Sequence, residues 1–360
     1  MQGSYIRHRL KFSFKAGTSR GVLEEKLVYI IKITDSDNRL YGLGECAPMA
    51  GLSIDDFDTI EEKLDECMVR LADKMRPKSP TEIYRLSEEL AGRDYPAIRF
   101  GLEMALLDIL HGGKRLLFRN SFYLARAPIP VNGLIWMGSE QHMMKQGKEK
   151  INARFRCIKM KVSAIDFNME LRVLKTLRAG FKEADLTLRV DANGSFPAVD
   201  ALDYLKKLAP LGIHSIEQPI KPGNKTDMAR LCRNAPVPVA LDEELIGMSS
   251  DKKNLLSAIR PQYIVLKPSL LGGFMETLEW IKLANDMNIG WWITSALESN
   301  VGLNAIAQFT SEVDNGMVHG LGTGGLFTNN IASPLKIVEG NLLYLDKNSW
   351  NYSVLGDFLK

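Results

Sequence analysis

Cys157-Ile-Lys-Met-Lys-Val162, Leu188-Arg-Val-Asp-Ala-Asn193, Ser215-Ile-Glu-Gln-Pro219, Val239-Ala-Leu-Asp-Glu243 and Ile264-Val-Leu-Lys-Pro268 are apolar runs that each end on an acid or an amine. Asp191 to Glu217 is 26 residues, Glu217 to Asp242 is 25, and Asp242 to Lys267 is 25 again. One strand, one helix and two short loops fill about that length, so each of these residues closes one strand of a repeating βα unit. Parallel strands joined by right-handed crossovers close into a barrel whose strand ends share one mouth. Three carboxylates and two or three lysines are expected to meet there.

Three oxygen donors at one point repel one another unless a hard cation sits among them. Asp191, Glu217 and Asp242, with coordination positions left open, suit Mg²⁺, and Mn²⁺ as a second choice. A lysine beside such a cation has its charged form disfavoured, which frees it as a base near neutral pH. Lys159 and Lys161 stand two apart on a strand and project to one face, where two ammonium groups depress each other's pKa. Each acid alone reads equally well as a loop-opening or helix-capping surface residue. Three in step with the lysines make that the weaker account. The chemistry expected is removal of a proton next to the carboxylate of a small-molecule substrate.

The rest of the composition excludes other classes. A net charge of +3 on 360 residues makes no case for nucleic acid or an anionic membrane. Met1 to Phe14 lacks the apolar core of a signal peptide, and no run approaches a membrane span. Cys46, Cys67, Cys157 and Cys232 show no CxxC spacing, which reads as a reduced, cytoplasmic protein. Nothing in the composition decides for or against a homo-oligomer.

In chain order, alternation over Tyr5–Phe14, Lys26–Thr34 and Leu40–Glu45 predicts an antiparallel meander, with Lys15–Gly21 as a mobile surface loop. Helical periodicity follows over Ile54–Leu71, Thr81–Leu90 and Ala97–Leu110. From Pro128 the pattern alternates strictly, and eight strands can be counted, the last over Met317–Leu321. Leu335–Val338 and Leu342–Leu345 look like a hairpin that returns to the N-terminal unit. The expected division is a capping domain over 1–127, a barrel over 128–325 and a C-terminal segment over 326–360.

The pair Lys159 and Lys161, with Asp191-Ala-Asn193, Glu217-Gln-Pro219, Leu241-Asp-Glu243 and Lys267-Pro268 at successive strand ends, resembles the enolase superfamily, muconate lactonising subgroup. Gly42-Leu-Gly-Glu-Cys-Ala-Pro48, the helix Phe100–Asp108 and Ser295-Ala-Leu-Glu-Ser-Asn-Val-Gly302 also look like that group. The resemblance covers almost the whole chain. It implies a modified TIM-type (β/α)7β barrel under an α+β capping domain built from the N-terminal part and the C-terminal tail. Within the subgroup it is nearest to the dehydratases. That implies metal-dependent syn elimination of water from 2-succinyl-6-hydroxy-2,4-cyclohexadiene-1-carboxylate, giving 2-succinylbenzoate for menaquinone biosynthesis. N-succinylamino acid racemisation on the same site, and a catalytically silent carboxylate-binding barrel, are the alternatives.

By the same resemblance Lys161 is the base and Lys159 helps neutralise the substrate carboxylate. Lys267 either shares proton transfer from the opposite wall or stabilises the intermediate as a cation. The choice of Asp242 over Glu243 and Glu244 rests partly on the family pattern. Asn193 and Arg189 flank Asp191 on one side of the strand and, with Glu243, are candidates to orient the ligands; a plain barrel-layer position is equally open for Arg189. Thr294, Ser295 and Asn300 offer hydroxyls and a helix start to the distant succinyl carboxylate, or simply an N-cap. Arg20, with Thr18 and Ser19, lies in a cap loop placed to close over substrate. Dipeptide epimerases of the subgroup hold an α-ammonium group with two acids whose places here are Gly322 and Gly324, which argues for a substrate without an amino terminus. His8, His111, His142, His214 and His319 fall at no strand-end acid position and read as structural or surface residues.

Overall fold

The alternation near the N-terminus becomes a long hairpin of β1 (Gln2–Thr18) and β2 (Gly21–Thr34), with β3 (Tyr41–Cys46) added antiparallel to β2. The computed structural model describes residues 1–18, 21–37, 39–163, 166–345 and 349–359. Leu10 and Phe12 point inward while Arg9 and Lys11 face solvent, as a half-buried sheet requires. Residues 15–18, expected in a loop, instead continue β1 past a register shift between Lys11 and Ala16. Ala16 is fully buried there, which holds the strand to the sheet.

Three helices follow, α1 (Ile60–Ala72), α2 (Pro80–Ala91) and α3 (Pro96–Leu110). The first starts at Ile60 rather than Ile54 because Asp56 accepts from Asp58 N and from the Thr59 hydroxyl, holding the preceding residues in a turn. Helix α3 is buried along nearly all of its length and lies against β3.

After β4 (Ile129–Pro130), parallel strands β5 (Gly133–Ile135), β6 (Cys157–Lys161), β7 (Thr187–Asp191), β8 (Ile213–Glu217), β9 (Val239–Leu241), β10 (Tyr263–Leu266) and β11 (Gly290–Ile293) form one curled sheet in sequence order. Helices α4 (Glu140–Asn152), α5 (Phe167–Ala179), α6 (Ala201–Leu208), α7 (Lys225–Asn234), α8 (Lys252–Ile259), the short α9 (Pro268–Leu271) and α10 (Phe274–Asp286) connect successive strands, and α11 (Asn300–Glu312) follows β11. The eighth strand, expected over Met317–Leu321, is reduced to His319 and Gly320, whose parallel bridges to Val131 and Thr294 close the ring. Asp314 and Asn315 accept from the backbone N–H groups of Gly316 and Met317, so the turn consumes the start of the expected strand.

The hairpin of β12 (Leu335–Val338) and β13 (Asn341–Tyr344) pairs with β4, not with the N-terminal sheet. Tyr344 draws it there, packed against Phe122 and Tyr123 with ring centroids 5.8 and 5.1 Å away. The stretches on either side of the hairpin reach the N-terminal sheet. Phe12 bridges Phe327, Ser13 N donates to Leu326 O, and Leu355 is buried in the cluster that holds Leu10, Phe12 and Val28. The fold is thus a modified TIM-type (β/α)7β barrel capped by an α+β layer to which both ends of the chain contribute.

Candidate active site

Strand register brings the motif residues together. In the parallel pairing Lys159 lies level with Arg189, Lys161 with Asp191, and Asp191 with Glu217. Asp191 and Glu217 are the last residues of β7 and β8, while Asp242 and Lys267 stand one residue beyond β9 and β10. All end at the same rim of the barrel, and the three acids are at most 2% exposed.

The side chains interlock. Lys159 Nζ donates to Asp191 Oδ2 at 3.2 Å and to Glu217 Oε2 at 2.7 Å. Lys161 Nζ donates to Asp191 Oδ2 at 3.2 Å and to Asn193 Oδ1 at 2.6 Å. Lys267 donates to Asp242 and stands 4.0 Å from Glu217 Oε1. Burial pulls the Lys159 pKa down, but Asp191, Glu217 and Asp242 outweigh it and hold the ammonium above its ordinary value. Lys267 is raised in the same way, against burial, by Asp242 and Glu217. The mutual depression expected for the lysine pair therefore does not prevail at Lys159, because the nearby carboxylates act more strongly than a second ammonium. Burial works against the Asp191 carboxylate too, yet Lys159, Lys161 and Lys267 keep its pKa below the usual range. Asp242 is pushed well up, by burial and then by Glu243.

Among the described residues no three acid, histidine or cysteine side chains form a ready-made metal cage, since ammonium groups stand between the carboxylates. The residues nevertheless fit a hard cation. All donors are carboxylate oxygens from three adjacent strand ends, and Glu217 Oε1 is buried without a hydrogen-bond partner.

A cavity of about 410 Å³ opens over this centre. Lys159, Lys161, Asp191, Asn193, Lys267, Thr294 and Ser295 line it from the barrel, and Phe14, Thr18, Leu23 and Met49 from the cap. Asn193, at φ +45°, accepts from Lys161 and donates to Glu243 Oε1 at 3.1 Å, so Asn193 borders the lysine directly and Glu243 is joined to it through Asn193. Among the described residues Arg189 bonds neither the three acids nor the three lysines. It donates to Val318 O at 2.8 Å and stacks 4.0 Å over the Trp292 ring, one layer deeper in the barrel.

Asn300 does not line the cavity; its amide donates to Ile331 O at 2.7 Å and ties α11 to the C-terminal segment. Nor is the start of α11 open to a substrate anion, because the Glu45 carboxylate already accepts from Ser299 N at 2.7 Å and Gly302 N at 2.8 Å. Arg20 and Ser19 lie outside the described residues. Gly322 lines the cavity, whereas a Cβ at Gly324 would stand 2.8 Å from Asn300 Oδ1.

Reading the motifs for their charges alone passed over Gln218. Its Oε1 accepts from Asp242 N at 3.0 Å and Glu244 N at 3.3 Å, fixing the β9 rim from β8. Trp136, whose ring centroid is 5.9 Å from Lys161 Nζ, gives the cavity an aromatic wall. A buried amide next to Glu217 was a usable signal for the first; nothing local announced the second.

The family described as Enolase C-terminal domain-like matches residues 142–347. The o-succinylbenzoate synthase of Desulfotalea psychrophila is 44% identical, over 95% of this chain and 98% of that protein. The crystal structure of MenC from Desulfotalea psychrophila LSv54 superposes with a TM-score of 0.83 at 40% identity, covering 95% of this chain and 99% of that one. The N-succinylamino acid racemase of Thermus thermophilus is more distant, 29% identical over 81% of this chain and 77% of that protein. A capped barrel with lysines and carboxylates on its rim defines an acid–base enzyme of the enolase type. The chain belongs to the enolase superfamily.

Proposed function

We propose that the chain works as an o-succinylbenzoate synthase, a carbon–oxygen lyase of menaquinone biosynthesis that dehydrates 2-succinyl-6-hydroxy-2,4-cyclohexadiene-1-carboxylate to 2-succinylbenzoate. The observation that carries this is the interlocked set of three lysines and three carboxylates beneath one cavity. The similarity to the Desulfotalea synthase along nearly the whole chain supports the choice of substrate.

Lys161, beside Asn193, takes the ring proton next to the carboxylate. The electron pair left behind delocalises into that carboxylate as an enediolate, and Lys159 neutralises it. The enediolate then collapses, the β-hydroxyl leaves with a proton returned from Lys161 on the same face, and the ring becomes aromatic. Lys267 stays protonated on the opposite wall and stabilises the anion. Asp191, Glu217 and Asp242 would hold Mg²⁺, or Mn²⁺ in its place, which when bound supplies Lewis-acid stabilisation of the developing charge. Glu243 orients Asn193, and Thr294 and Ser295 form the wall met by the succinyl arm. Residues 1–127 and 326–360 serve as the cap and 128–325 as the catalytic body. A cytoplasmic location is in keeping with four free, buried cysteines.

The test is turnover of the cyclohexadiene with Mg²⁺, followed by the absorbance of 2-succinylbenzoate. Lys161→Ala is expected to lose activity by about a thousandfold, and a variant working at the wild-type rate would remove the base assignment. The arrangement of Lys161 near Asp191 and Lys267 near Asp242 also suits two-face proton transfer. Exchange of the α-hydrogen of an N-succinylamino acid in D₂O measures that second activity.

A further inference from the structure

Away from the lysine–carboxylate centre the fold buries another cluster of charge. Lys26, on β2 of the cap, reaches the loop after β11, where Nζ donates to Ala296 O at 2.6 Å. In the same loop Glu298 Oε2 accepts from Ser295 Oγ at 2.5 Å and from Ala296 N at 2.8 Å, and Oε1 accepts from Ser269 Oγ. Glu298 is fully buried and Lys26 is 6% exposed. Burial lowers the Lys26 pKa, and the carboxylates that oppose this are Glu298 and Glu45. An ammonium this deep persists only where anions and acceptors surround it.

The partners of Glu298 give the cluster its meaning. Ser295 and Ala296 line the substrate cavity. Ser269 lies two residues past Lys267, in α9, whose first turn hangs from Lys267 O through Leu270 N at 2.9 Å and Leu271 N at 3.0 Å. One carboxylate thus ties the cavity wall to the element that follows Lys267, and one lysine holds that wall from the cap.

We propose that Lys26 and Glu298 are positioning residues, a buried clasp through which the N-terminal sheet sets the places of Ser295 and Lys267 against the substrate. The clasp relies on the dehydratase reading only for its kinetic readout. Lys26→Met, Glu298→Gln and the double variant are compared with wild type by thermal melting, by kcat and KM with Mg²⁺, and by amide hydrogen exchange over 294–298. Each single variant is expected to lower kcat on the order of tenfold with a smaller change in KM, since misplaced groups cost rate more than affinity. Exchange over 294–298 should quicken in both, and the double variant should be no slower than the worse single one. Multiplied losses in the double variant, or unchanged kcat and exchange in both singles, overturn the clasp.

Ser269→Ala covers the case in which Lys26→Met fails to fold. It cuts only the link toward Lys267, so kcat should fall while exchange over 294–298 stays as in wild type. An unchanged kcat there overturns the link. Should wild type make no 2-succinylbenzoate, the dehydratase reading falls alone, and exchange still decides on the clasp.

Discussion

Asp55 shows what burial does to a carboxyl that has no cation beside it. It is 3% exposed, its Oδ1 accepts from Ala97 N at 3.0 Å, and burial pushes its pKa up to about 7. An acid that binds its proton more tightly in the folded chain favours the fold below its ordinary value of 3.8, and that contribution is lost as pH rises through about 7. Asn keeps the acceptor for Ala97 and removes the titration. Asp55→Asn should therefore stabilise the protein near pH 8 by about 2 kcal/mol and change little near pH 3. Melts at the two pH values check this, and an equal shift at both would contradict it. Asp191 behaves otherwise, because Lys159, Lys161 and Lys267 hold its pKa below the usual range against burial. Chelation should accordingly abolish turnover, with Mg²⁺ restoring it, while the far-ultraviolet circular dichroism stays unchanged. The strand-tip residues were legible because βα units repeat at a fixed length. Lys26 and Glu45 were not, since their partners stand 270 and 254 residues away and leave no local pattern.

Element packing explains motifs that the sequence offered only as a likeness. In β3, a Cβ at Gly44 would stand 1.9 Å from Gly101 O, and one at Gly42 2.0 Å from Ala105 O. The strand meets the backbone of α3 directly, and only a residue without a side chain permits that approach. Gly44→Ala is expected to cost about 3 kcal/mol or prevent folding, as measured by urea unfolding; a loss under about 0.5 kcal/mol would mean the two elements slide apart freely. Periodicity found α3 and most barrel strands, because apolar spacing reports which face is buried. It placed the end of the ring over Met317–Leu321 but overestimated its length: only His319 and Gly320 pair, because turn-forming side chains at Asp314 and Asn315 consume the start of the run. It also could not foresee Glu45 capping α11, where the helix start had looked free for a substrate anion.

At the scale of the molecule, one apolar cluster runs from Tyr29 and Ile31 in the cap through α3 to Ile158 and Val190 in the barrel. Cap and barrel share this core, so they should unfold together. Calorimetry is expected to show a single transition with matching calorimetric and van't Hoff enthalpies, and two resolved peaks would show that the layers are independent. The capped-barrel plan was readable from strands and helices first and strict alternation afterwards. The strand partner of the last hairpin, β4, was not, because the packing of Tyr344 on Phe122 and Tyr123 accompanies that pairing, and ring packing has no period along a chain.

The ring's closure at His319 and Gly320 carries a consequence for how the protein breathes. Across it run the bonds Asn132 N to His319 O, His319 N to Pro130 O, Gly320 N to Ile293 O and Ser295 N to Gly320 O. Elsewhere around the ring, neighbouring strands pair over at least two successive residues and up to five. A cylinder stitched this lightly on one side parts there first. That side borders Thr294 and Ser295, so opening there would loosen this part of the cavity wall before the rest of the ring.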